Sequence, residues 1–536
     1  MLRQPISIAL TLAGGLMLTV PTQAAPRFQD LSQQLNGFIN YSPAQGDGFS
    51  GLVWVDYDGD GDEDLFVTGG LGARNGLLRN DNGTFHDVTE EAGLLGEAGG
   101  SGAIAVDVDN DGYRDIVVVA DGAWASPRAS YIRFYRNEGD GTFENLTSSS
   151  DLNLIPQLAG QAQHISAADV DNDGFVDLLI LAPGNITDRT QPKNLLFRNN
   201  GDLTFTDVSA GSGVDTAYGA CASVFTDYND DGMQDVIIAD CHEINGRLTP
   251  IEILVNNGDF TFAPLMSYAG TDSREWDIKR GYWMCMDLAD IDLDLDQDMF
   301  STNAGPNVNA DQEHGLFERL GNGKFKAIER EAGISAAAPD FGFGCGFGDL
   351  DNDQYVDLLM TGSFPKIGAI GPGLGSPTHV FHNQGDSTFE AVVQSFNTSN
   401  RFTSGLAIAD YNRDGLLDFA VGTGPAPQTR PTEKPILLRN NTENAGNWVS
   451  LRLIGNGITD NKDAIGARVR ILAGGVMQER EIRAGSSWLS QHSLRVHFGL
   501  GQATEIKRME VRWPSGEVSV KRNLPVNEYR NVRQPD

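Results

Sequence analysis

The sequence predicts an all-β protein in which a seven-bladed β-propeller precedes a small C-terminal β-sandwich-like domain. Three observations lead to this prediction. An acidic stretch recurs seven times at intervals of about 50 to 63 residues, each copy flanked by short apolar runs. A hairpin pattern with Asn, Gly and Asp turns recurs in step with it. After residue 442 this repeat stops, and short runs of alternating apolar and polar residues follow.

The first 25 residues have the pattern of an export signal. Arg3 supplies a positive charge, Ile6–Val20 is apolar, and small residues around Ala24 offer a cleavage site. The alternative is a membrane anchor, but an apolar run of ~15 residues is short for a bilayer span of ~20. We therefore expect an exported protein without a transmembrane anchor, located in the periplasm or outside the cell.

Each repeat consists of a strand, an acidic loop, a strand, a long loop, a strand, a tight turn and a strand. Four strands in about 60 residues match the size of a propeller blade, and the seven units cover residues 27–442. The seventh unit ends at Ile436–Asn440 without a fourth strand, whereas Arg27–Ser32 carries the missing pattern alone. We expect the N-terminal strand to complete the last blade, which removes the exposed edges of the ring.

Each acidic stretch has the composition of a cation-binding loop. Positions 1, 3, 5 and 9 are Asp or Asn, and position 6 is usually Gly, which permits a positive φ. Ca²⁺ prefers six to eight oxygen ligands, and the backbone carbonyl of position 7 can supply one. Without a cation, carboxylates this close together would repel one another. The predicted ligands of up to seven Ca²⁺ ions are Asp56, Asp58, Asp60, Asp62 and Asp64; Asp107, Asp109, Asp111, Tyr113 and Asp115; Asp169, Asp171, Asp173, Phe175 and Asp177; Asp227, Asn229, Asp231, Met233 and Asp235; Asp290, Asp292, Asp294, Asp296 and Asp298; Asp349, Asp351, Asp353, Tyr355 and Asp357; and Asp410, Asn412, Asp414, Leu416 and Asp418.

Two alternatives bear on these loops. A single acidic stretch is often a solvated turn, but seven copies in register favour a cation. An EF-hand would require flanking helices and a Glu at position 12, whereas the flanks here are β and position 12 of the second loop is Val118. We expect weaker binding at the fifth and sixth loops, where Leu295 and Gln354 replace Gly, and a lower charge at the fourth and seventh, which contain Asn229 and Asn412.

An exported protein can form disulfides, and the sequence has four cysteines. Cys221 and Cys241 lie equally far from Asp231, so a hairpin folded about that loop would place them opposite each other, and we favour this disulfide. Cys285 and Cys345 occupy similar places in successive repeats. They could bridge neighbouring strands or remain two buried thiols.

The acidic repeats resemble the FG-GAP/VCBS repeats of integrin-type seven-bladed propellers. "GARVRI", "GSSWLSQ", "VHFGLG" and "VRWPSG" resemble the ASPIC/UnbV domain over residues 443–525, followed by a tail at 526–536. The combination is similar to the cartilage acidic protein family in its shorter bacterial form. The resemblance implies that the acidic loops lie on one face of the propeller and that the long loops gather on the opposite face, where we place the ligand-face candidates. These are Trp124, Arg128, His242, Trp276, Arg280 and Trp283.

The functional prediction has two branches. The formal net charge of −34 argues against nucleic acid as a partner, and no catalytic motif is present in the sequence. The favoured branch is an exported calcium-binding module that binds a protein or glycan. The alternative is a calcium-stabilised enzyme, with its site on the long-loop face or in the axial channel, acting on a secondary metabolite or a polysaccharide. Neither branch specifies an oligomeric state.

Overall fold

The computed structural model describes residues 25–35, 40–41, 49–69, 74–95, 99–120, 131–152, 163–182, 194–216, 220–241, 243–244, 247–248, 251–266, 280–303, 313–338, 341–364, 374–394, 396, 402–424 and 432–535. The predicted export signal lies outside these residues, apart from its last one. The described chain is almost entirely β. Its helical parts are α1 (Ile334–Ala337) and 3₁₀ turns at Ser32–Gln34 and Val214–Thr216. None of the described helices has the length and apolar character needed to cross a membrane.

The strands of the propeller group into seven antiparallel four-stranded units, consistent with the seven predicted blades, and a single pair between Ser363 and Thr403 joins the last two units into one sheet. The first strands of the chain are β1 (Phe28–Asp30) and β2 (Asn40–Tyr41), and the blades then follow in order. Blade 1 is β3 (Leu52–Val55), β4 (Asp64–Val67), β5 (Gly76–Asp81) and β6 (Thr84–Asp87); blade 2 is β7 (Gly102–Val106), β8 (Asp115–Ala120), β9 (Tyr131–Asn137) and β10 (Phe143–Asn145); blade 3 is β11 (His164–Ala168), β12 (Asp177–Leu181), β13 (Leu195–Asn199) and β14 (Phe205–Asp207). Blade 4 is β15 (Ala220–Thr226), β16 (Asp235–Asp240), β19 (Ile251–Asn256) and β20 (Phe262–Met266), with the small hairpin β17 (Glu243–Ile244) and β18 (Arg247–Leu248) between its second and third strands.

The remaining blades repeat the same order. Blade 5 is β21 (Met286–Ala289), β22 (Asp298–Ser301), β23 (Gly315–Arg319) and β24 (Phe325–Ala327), and blade 6 is β25 (Cys345–Gly348), β26 (Asp357–Phe364), β27 (Leu374–Asn383) and β28 (Phe389–Ala391). Blade 7 takes β29 (Phe402–Ala409), β30 (Asp418–Gly424) and β32 (Ile436–Asn440) from one end of the propeller sequence and β1 from the other. Outside the blades, β2 pairs with β31 (Thr432–Glu433).

The ring closes as the sequence predicts. Strand β1 runs antiparallel to β32, with Phe28 opposite Asn440 and Asp30 opposite Leu438. The ring of Phe28 lies 4.9 Å from that of Phe419 in an edge-to-face contact, which anchors the N-terminal strand in the blade. Both ends of the propeller sequence therefore contribute to one sheet.

An asparagine near the end of the third strand links most blades to their predecessors. In blade 2, the side-chain amide of Asn137 donates to the carbonyl oxygen of Tyr57 in blade 1 at 2.7 Å. The blade-to-blade bonds are Asn80 to Tyr411, Asn137 to Tyr57, Asn199 to Val108, Asn256 to Val170, Asn383 to Ile291 and Asn440 to Leu350, with Arg319 to Tyr228 at the fifth blade. These bonds run around the whole ring, and we refer to them as the asparagine relay.

The relay gives a prediction about stability. Replacing fully buried Asn137 with Ala removes the donor for the carbonyls of Tyr57 and Arg114 and should lower the free energy of unfolding by about 1–3 kcal/mol. Urea denaturation measures the change. Asn200→Ala, which removes an exposed amide on the neighbouring blade, is the matched control and should have little effect. Equal losses in the two variants would mean that the relay adds no stability.

Two disulfides are formed. Cys221 and Cys241 join β15 to the residue after β16, with Cα atoms 5.7 Å apart, which confirms the favoured pairing. Cys285 and Cys345 are also bonded, with Cα atoms 5.9 Å apart. The second bond joins the first strands of blades 5 and 6, so these two cysteines bridge neighbouring strands and are not two buried thiols.

The C-terminal domain consists of two sheets that share one apolar core. One sheet orders β36 (Val496–Gly501), β33 (Asn447–Ile454) and β39 (Glu528–Arg533). The other orders β35 (Val476–Glu481), β34 (Arg468–Ala473), β37 (Ile506–Arg512) and β38 (Val518–Leu524). The interpretation of residues 526–536 as a tail is wrong, because β39 pairs in parallel with β33 over Val449–Ile454 and Val532 is fully buried.

Candidate metal centres

Each acidic loop joins the first strand of a blade to the second, and its backbone is folded around its own carboxylates. In the second loop, Asp107 accepts hydrogen bonds from the backbone N–H groups of Asp111 at 3.0 Å and Gly112 at 2.8 Å. Gly112 has a φ of 101°, a conformation that glycine adopts without strain. These bonds turn the loop so tightly that alternate side chains face one centre.

The Asp at position 9 fixes the other end of the loop. Asp115 accepts the backbone N–H of Val108 at 3.0 Å through one oxygen and that of Asn137 at 2.7 Å through the other. The Asp at position 9 is fully or almost fully buried in all seven blades: Asp64, Asp115, Asp177, Asp235, Asp298, Asp357 and Asp418. This residue therefore connects the loop, the second strand and the asparagine relay, in addition to offering carboxylate oxygen to a cation.

The predicted ligands converge. Ligand atoms of positions 1, 3 and 9 lie within 4.8 Å of one another in each of the first three loops: Asp56, Asp58 and Asp64; Asp107, Asp109 and Asp115; and Asp169, Asp171 and Asp177. Positions 1, 3 and 5 converge in the fifth loop, as Asp290, Asp292 and Asp294. Such all-oxygen sets fit a hard cation with flexible geometry. The side chains present could therefore hold metal ions in these loops.

The loops without glycine keep the same turn. Leu295 and Gln354, at position 6 of the fifth and sixth loops, have φ values of 73° and 95°, a region that side chains other than glycine rarely adopt. The fold therefore imposes on these two residues the conformation that glycine adopts elsewhere in the series. In the fourth loop, the amide of Asn229 donates to the carboxylate of Asp231 at 2.9 Å, so a hydrogen bond takes the place of the carboxylate repulsion found in the other loops.

In several blades, a basic side chain of the third strand faces the acidic loop. The sequence analysis did not predict these contacts. Arg136 contacts Asp109 at 2.7 Å and Asp111 at 2.8 Å, and Arg198 contacts Asp171 at 3.2 Å. In blade 6 the same position is His382, whose Nε2 lies 3.1 Å from Asp351. The sequence does contain a pattern from which these cations could be predicted. In five blades, the residue immediately before the relay asparagine is Arg or His.

Burial makes ionised carboxylates costly at these centres. Burial first, and then the charges of Asp173 and Asp171, raise the pKa of Asp169 to about 7. Burial is also the main cause that raises the pKa of Asp290 to about 7. A bound cation would offset these charges and favour the ionised form.

A pH dependence follows for metal-free protein. Asp169 has a raised pKa when folded and an ordinary value near 3.9 when unfolded, so its contribution to stability is present at low pH and is lost as pH rises towards about 7. We expect the gap in melting temperature between calcium-loaded and EDTA-treated protein to narrow as the pH falls from about 8 to about 5. Thermal melts at both pH values measure it, and a gap that widens on acidification would contradict this electrostatic account.

The C-terminal domain covers the face of the propeller that carries the acidic loops. Arg452 pairs with Asp56 at 3.0 Å, and Asp463 pairs with buried Arg114 at 2.7 Å. All seven acidic loops contact this domain. The contacts, with the residue of the domain first, are Arg452 with Asp56, Asp463 with Asp107, Ile458 with Gly174, Arg468 with Asp230, Arg483 with Gln297, His497 with Asn352, and Tyr529 with Asp410. Arginines of the domain, Arg452, Arg468 and Arg483, therefore face residues of the acidic loops.

Residues 484–493 of this domain enter the axis of the propeller, and we name them the channel segment. Ala484 accepts the N–H of Ala167 at 3.2 Å, Ser487 donates its N–H to Met286 at 3.2 Å, and Gln491 donates its N–H to Leu52 at 2.8 Å. Further contacts reach Ala105, Cys345 and Ile408, so innermost strands of six blades touch the segment. Blade 4 is touched by Glu481, which accepts the hydroxyl of Thr226 at 2.7 Å.

The channel segment fits a narrow space. A Cβ atom on Gly51 would lie 2.0 Å from the carbonyl oxygen of Leu489, so only glycine allows this approach. At the far end, Trp488 stacks on Phe343 with ring centroids 4.4 Å apart and meets Phe49 edge-on at 4.8 Å. The axial channel, one of two places considered for an enzyme site, is thus filled by the protein's own chain along this length.

The ligand-face candidates fall into two groups. Trp124, Arg128, His242 and Trp276 lie outside the described residues. Arg280 is partly buried. Trp283 is fully buried against Phe317, with ring centroids 5.9 Å apart, so its ring is not offered to a ligand in this conformation.

Comparison with known proteins agrees with this architecture. A model described as FG-GAP-like repeat matches residues 56–118, 107–180 and 369–421, and a model described as ASPIC and UnbV matches residues 457–536. Cartilage acidic protein 1 of Xenopus tropicalis is 25% identical over 515 residues, covering 90% of this chain and 72% of that protein. The Homo sapiens protein of the same name is 25% identical over 520 residues, covering 90% of this chain and 71% of that protein.

Two solved structures are similar to this chain, both with low TM-scores and low sequence identity. A lectin of Agrocybe aegerita, described as recognising non-reducing terminal N-acetylglucosamine, has a TM-score of 0.40 and 17% identity, covering 73% of this chain and 98% of that chain. The Vibrio cholerae biofilm matrix protein Bap1 has a TM-score of 0.31 and 13% identity, covering 90% of this chain and 68% of that chain.

Proposed function

We propose that this chain, which matches the models of FG-GAP-like repeats and of a C-terminal ASPIC and UnbV domain, is an exported calcium-binding β-propeller that serves as an interaction module for a protein or glycan. The observation that carries the calcium part is the convergence of Asp107, Asp109 and Asp115, and of the equivalent residues in the neighbouring loops. All-oxygen protein ligands favour Ca²⁺ over Mg²⁺, which retains several waters.

The interaction part of the proposal rests on which surfaces remain for a partner. The acidic face is covered by the C-terminal domain, and the channel segment fills the axis. The second strand of each blade ends and the third begins at the opposite face, as β8 does at Ala120 and β9 at Tyr131. Binding proteins commonly place recognition residues on connections held by a rigid scaffold. We therefore assign partner binding to this opposite face, which we name the long-loop face.

Export is part of the same proposal. Two disulfides stabilise the propeller, and disulfides persist in oxidising compartments outside the cytosol. The apolar N-terminal stretch supports the same conclusion. The protein is thus assigned to the periplasm or the extracellular space.

The test combines metal analysis with binding. Purified protein should contain bound calcium by elemental analysis, and calcium-loaded protein should bind a glycan array or a cell-envelope preparation. Loss of envelope binding after proteinase treatment would identify a protein partner, and loss after periodate oxidation would identify a glycan. Replacing residues 183–193 with a Gly/Ser linker of equal length should weaken binding while leaving the melting temperature unchanged. Binding that survives linker replacement of every connection on the long-loop face would refute the assignment.

A further inference from the structure

The sixth acidic loop differs from the others in the side chain that faces it from the third strand. The residue before the relay asparagine is Arg in blades 1, 2, 3 and 7, and it is His382 in blade 6. Arg keeps its proton and cannot ligate a metal, whereas a neutral imidazole is a common metal ligand. Blade 6 is therefore the one blade whose sequence offers a nitrogen ligand at this position.

The imidazole and two carboxylates of this loop converge. One oxygen each of Asp351 and Asp353 and a ring nitrogen of His382 lie within 4.8 Å of one another. Nε2 of His382 is 3.1 Å from Oδ2 of Asp351 and 3.8 Å from Oδ2 of Asp353. Two ligands of one tetrahedral Zn²⁺ are about 3.3 Å apart, because each bond is ~2.0–2.1 Å long. The three side chains are thus close enough to ligate a single ion.

The imidazole does not replace the arginines of the other blades as a hydrogen-bond donor. Nε of Arg136 donates to Asp109 at 2.7 Å, and Nη2 of Arg439 donates to Asp414 at 3.0 Å. Nε2 of His382 is buried, yet it is not aligned for a hydrogen bond to any of the described residues. A buried polar atom without such a bond commonly has a water or an ion as its partner. A shared metal ion accounts for a nitrogen and carboxylate oxygens that approach one another in this way.

The side-chain amide of Gln384 can support the tautomer that a metal on Nε2 requires. Its nitrogen lies 3.2 Å from Nδ1 of His382 and donates to the backbone carbonyl of the same residue at 3.1 Å, in a bond exposed to solvent. A 180° turn of the amide exchanges its nitrogen and oxygen, and the oxygen then accepts Nδ1–H. Histidines that bind metals usually donate their other ring N–H in this way, which leaves the lone pair of Nε2 for the ion.

The C-terminal domain fixes the backbone of the sixth loop. Gly446 donates its N–H to the carbonyl of Asp351 at 2.9 Å, and Gly501 donates to the carbonyl of Asn352 at 2.8 Å. The side chain of Asp351 is 0% exposed, whereas that of Asp109, at the same position of the second loop, is 13% exposed. Ca²⁺ takes six to eight oxygens in a flexible arrangement, whereas Zn²⁺ takes about four ligands and accepts nitrogen. A buried, fixed loop with one nitrogen ligand therefore favours Zn²⁺.

We propose that the sixth acidic loop is a zinc site with His382, Asp351 and Asp353 as its protein ligands, and that it differs in this respect from the predicted calcium loops of the other blades. Imidazole suits Zn²⁺, and carboxylates complete such sites, with a further position left for water or another oxygen of the loop. This inference rests on the proposed function in treating the acidic loops as cation sites, and it changes the identity of one of the seven ions.

The test measures zinc and calcium separately on the full chain, prepared without a histidine tag. Zinc-free protein saturated with calcium is dialysed against micromolar Zn²⁺ and then analysed for both elements. We expect one zinc ion per chain and no loss of calcium from the other loops. His382→Arg, which introduces the residue found in blades 1, 2, 3 and 7, should bind zinc at least tenfold more weakly. His86→Arg is the matched control, because His86 is exposed beside Asp81 at 3.3 Å, and it should bind zinc as the wild type does.

X-ray absorption at the zinc edge identifies the ligands. The wild-type spectrum should show imidazole nitrogen bound to zinc, and a spectrum with oxygen ligands alone would contradict the proposal. His382→Gln serves the same comparison if His382→Arg does not fold, and thermal melts of each variant establish which of them are folded.

Two results of the dialysis would overturn the inference. One is wild-type protein that takes up no zinc, and the other is equal zinc content in the wild type and in folded His382→Arg. Both would mean that His382 is only an ion-pair partner of the loop, as the arginines are. The calcium content is read independently. Zinc bound without any calcium would refute the calcium part of the proposed function and leave this inference standing.

Discussion

Removing calcium with EDTA is expected to lower the melting temperature of this protein by at least about ten degrees. Several acidic loops hold carboxylates around one centre, as Asp107, Asp109 and Asp115 do, and these carboxylates repel one another when no cation is bound. A site filled at 100 times its dissociation constant adds about 2.7 kcal/mol to stability, and several such sites add up. One kcal/mol corresponds to roughly 2–4 °C in chains of 150–250 residues and to a smaller shift in this chain of 536, so the expected ten degrees require the contributions of several sites. Differential scanning calorimetry in EDTA and in calcium measures the shift.

Two comparisons make this result specific. Magnesium at equal concentration should restore much less of the melting temperature than calcium, because it retains its waters. Asp109→Asn should lower the calcium-loaded melting temperature, whereas Asp140→Asn, at an exposed turn of the same blade, should not. An EDTA-treated protein that melts at the same temperature as the calcium-loaded one would contradict the assignment of the acidic loops as metal centres.

Replacing Trp488 with Ala is expected to lower the free energy of unfolding by about 3–5 kcal/mol. The indole is 1% exposed and packs against Phe343 and Phe49, which come from different blades. Its loss leaves a cavity at the tip of the channel segment that rigid blade ends cannot fill. Hydrogen exchange should also accelerate at the amides of Leu52 and Ala103, which bond to this segment. Urea denaturation and amide exchange measure the two effects.

Val518→Ala is the control for this substitution. Val518 lies on the exposed strand β38 of the same domain and is 51% exposed, so its truncation should cost little. If Trp488→Ala and Val518→Ala gave equal losses, the channel segment would contribute nothing to the attachment of the C-terminal domain. Faster exchange confined to that domain, with the amides of the innermost strands unchanged, would lead to the same conclusion.

The features that could be predicted from the sequence are those that depend on repeated local patterns. The period of the acidic loops gives the blades, and the isolated Arg27–Ser32 pattern gives the closure through β1. The equal spacing of Cys221 and Cys241 about one loop gives the first disulfide. In each case the relevant residues are neighbours in the chain or occupy equivalent positions in the repeat, so a one-dimensional pattern is sufficient.

The features that the sequence did not predict depend on contacts between distant segments. "GSSWLSQ" is similar to other members of its domain family, but nothing local shows that its small residues fit the axis of another domain. Glu63 reads as an ordinary residue between Asp62 and Asp64, and only the structure shows that it contacts Ser493 and Arg495 of the C-terminal domain. The sequence places Trp283 among the ligand-face candidates, yet packing against Phe317 buries it.

The channel segment also constrains the order in which the chain can reach its native state. Gln491 bonds to Ala105, 386 positions earlier, and Arg27 bonds to Thr442, 415 positions later. Contacts this remote in sequence form late and slowly, because the loops they close are long. During synthesis, the propeller therefore lacks the channel segment in its axis until residues 484–493 have been made. A chain cut short before residue 484 would leave the inner strands of the propeller open to solvent, a form that quality-control proteases could recognise.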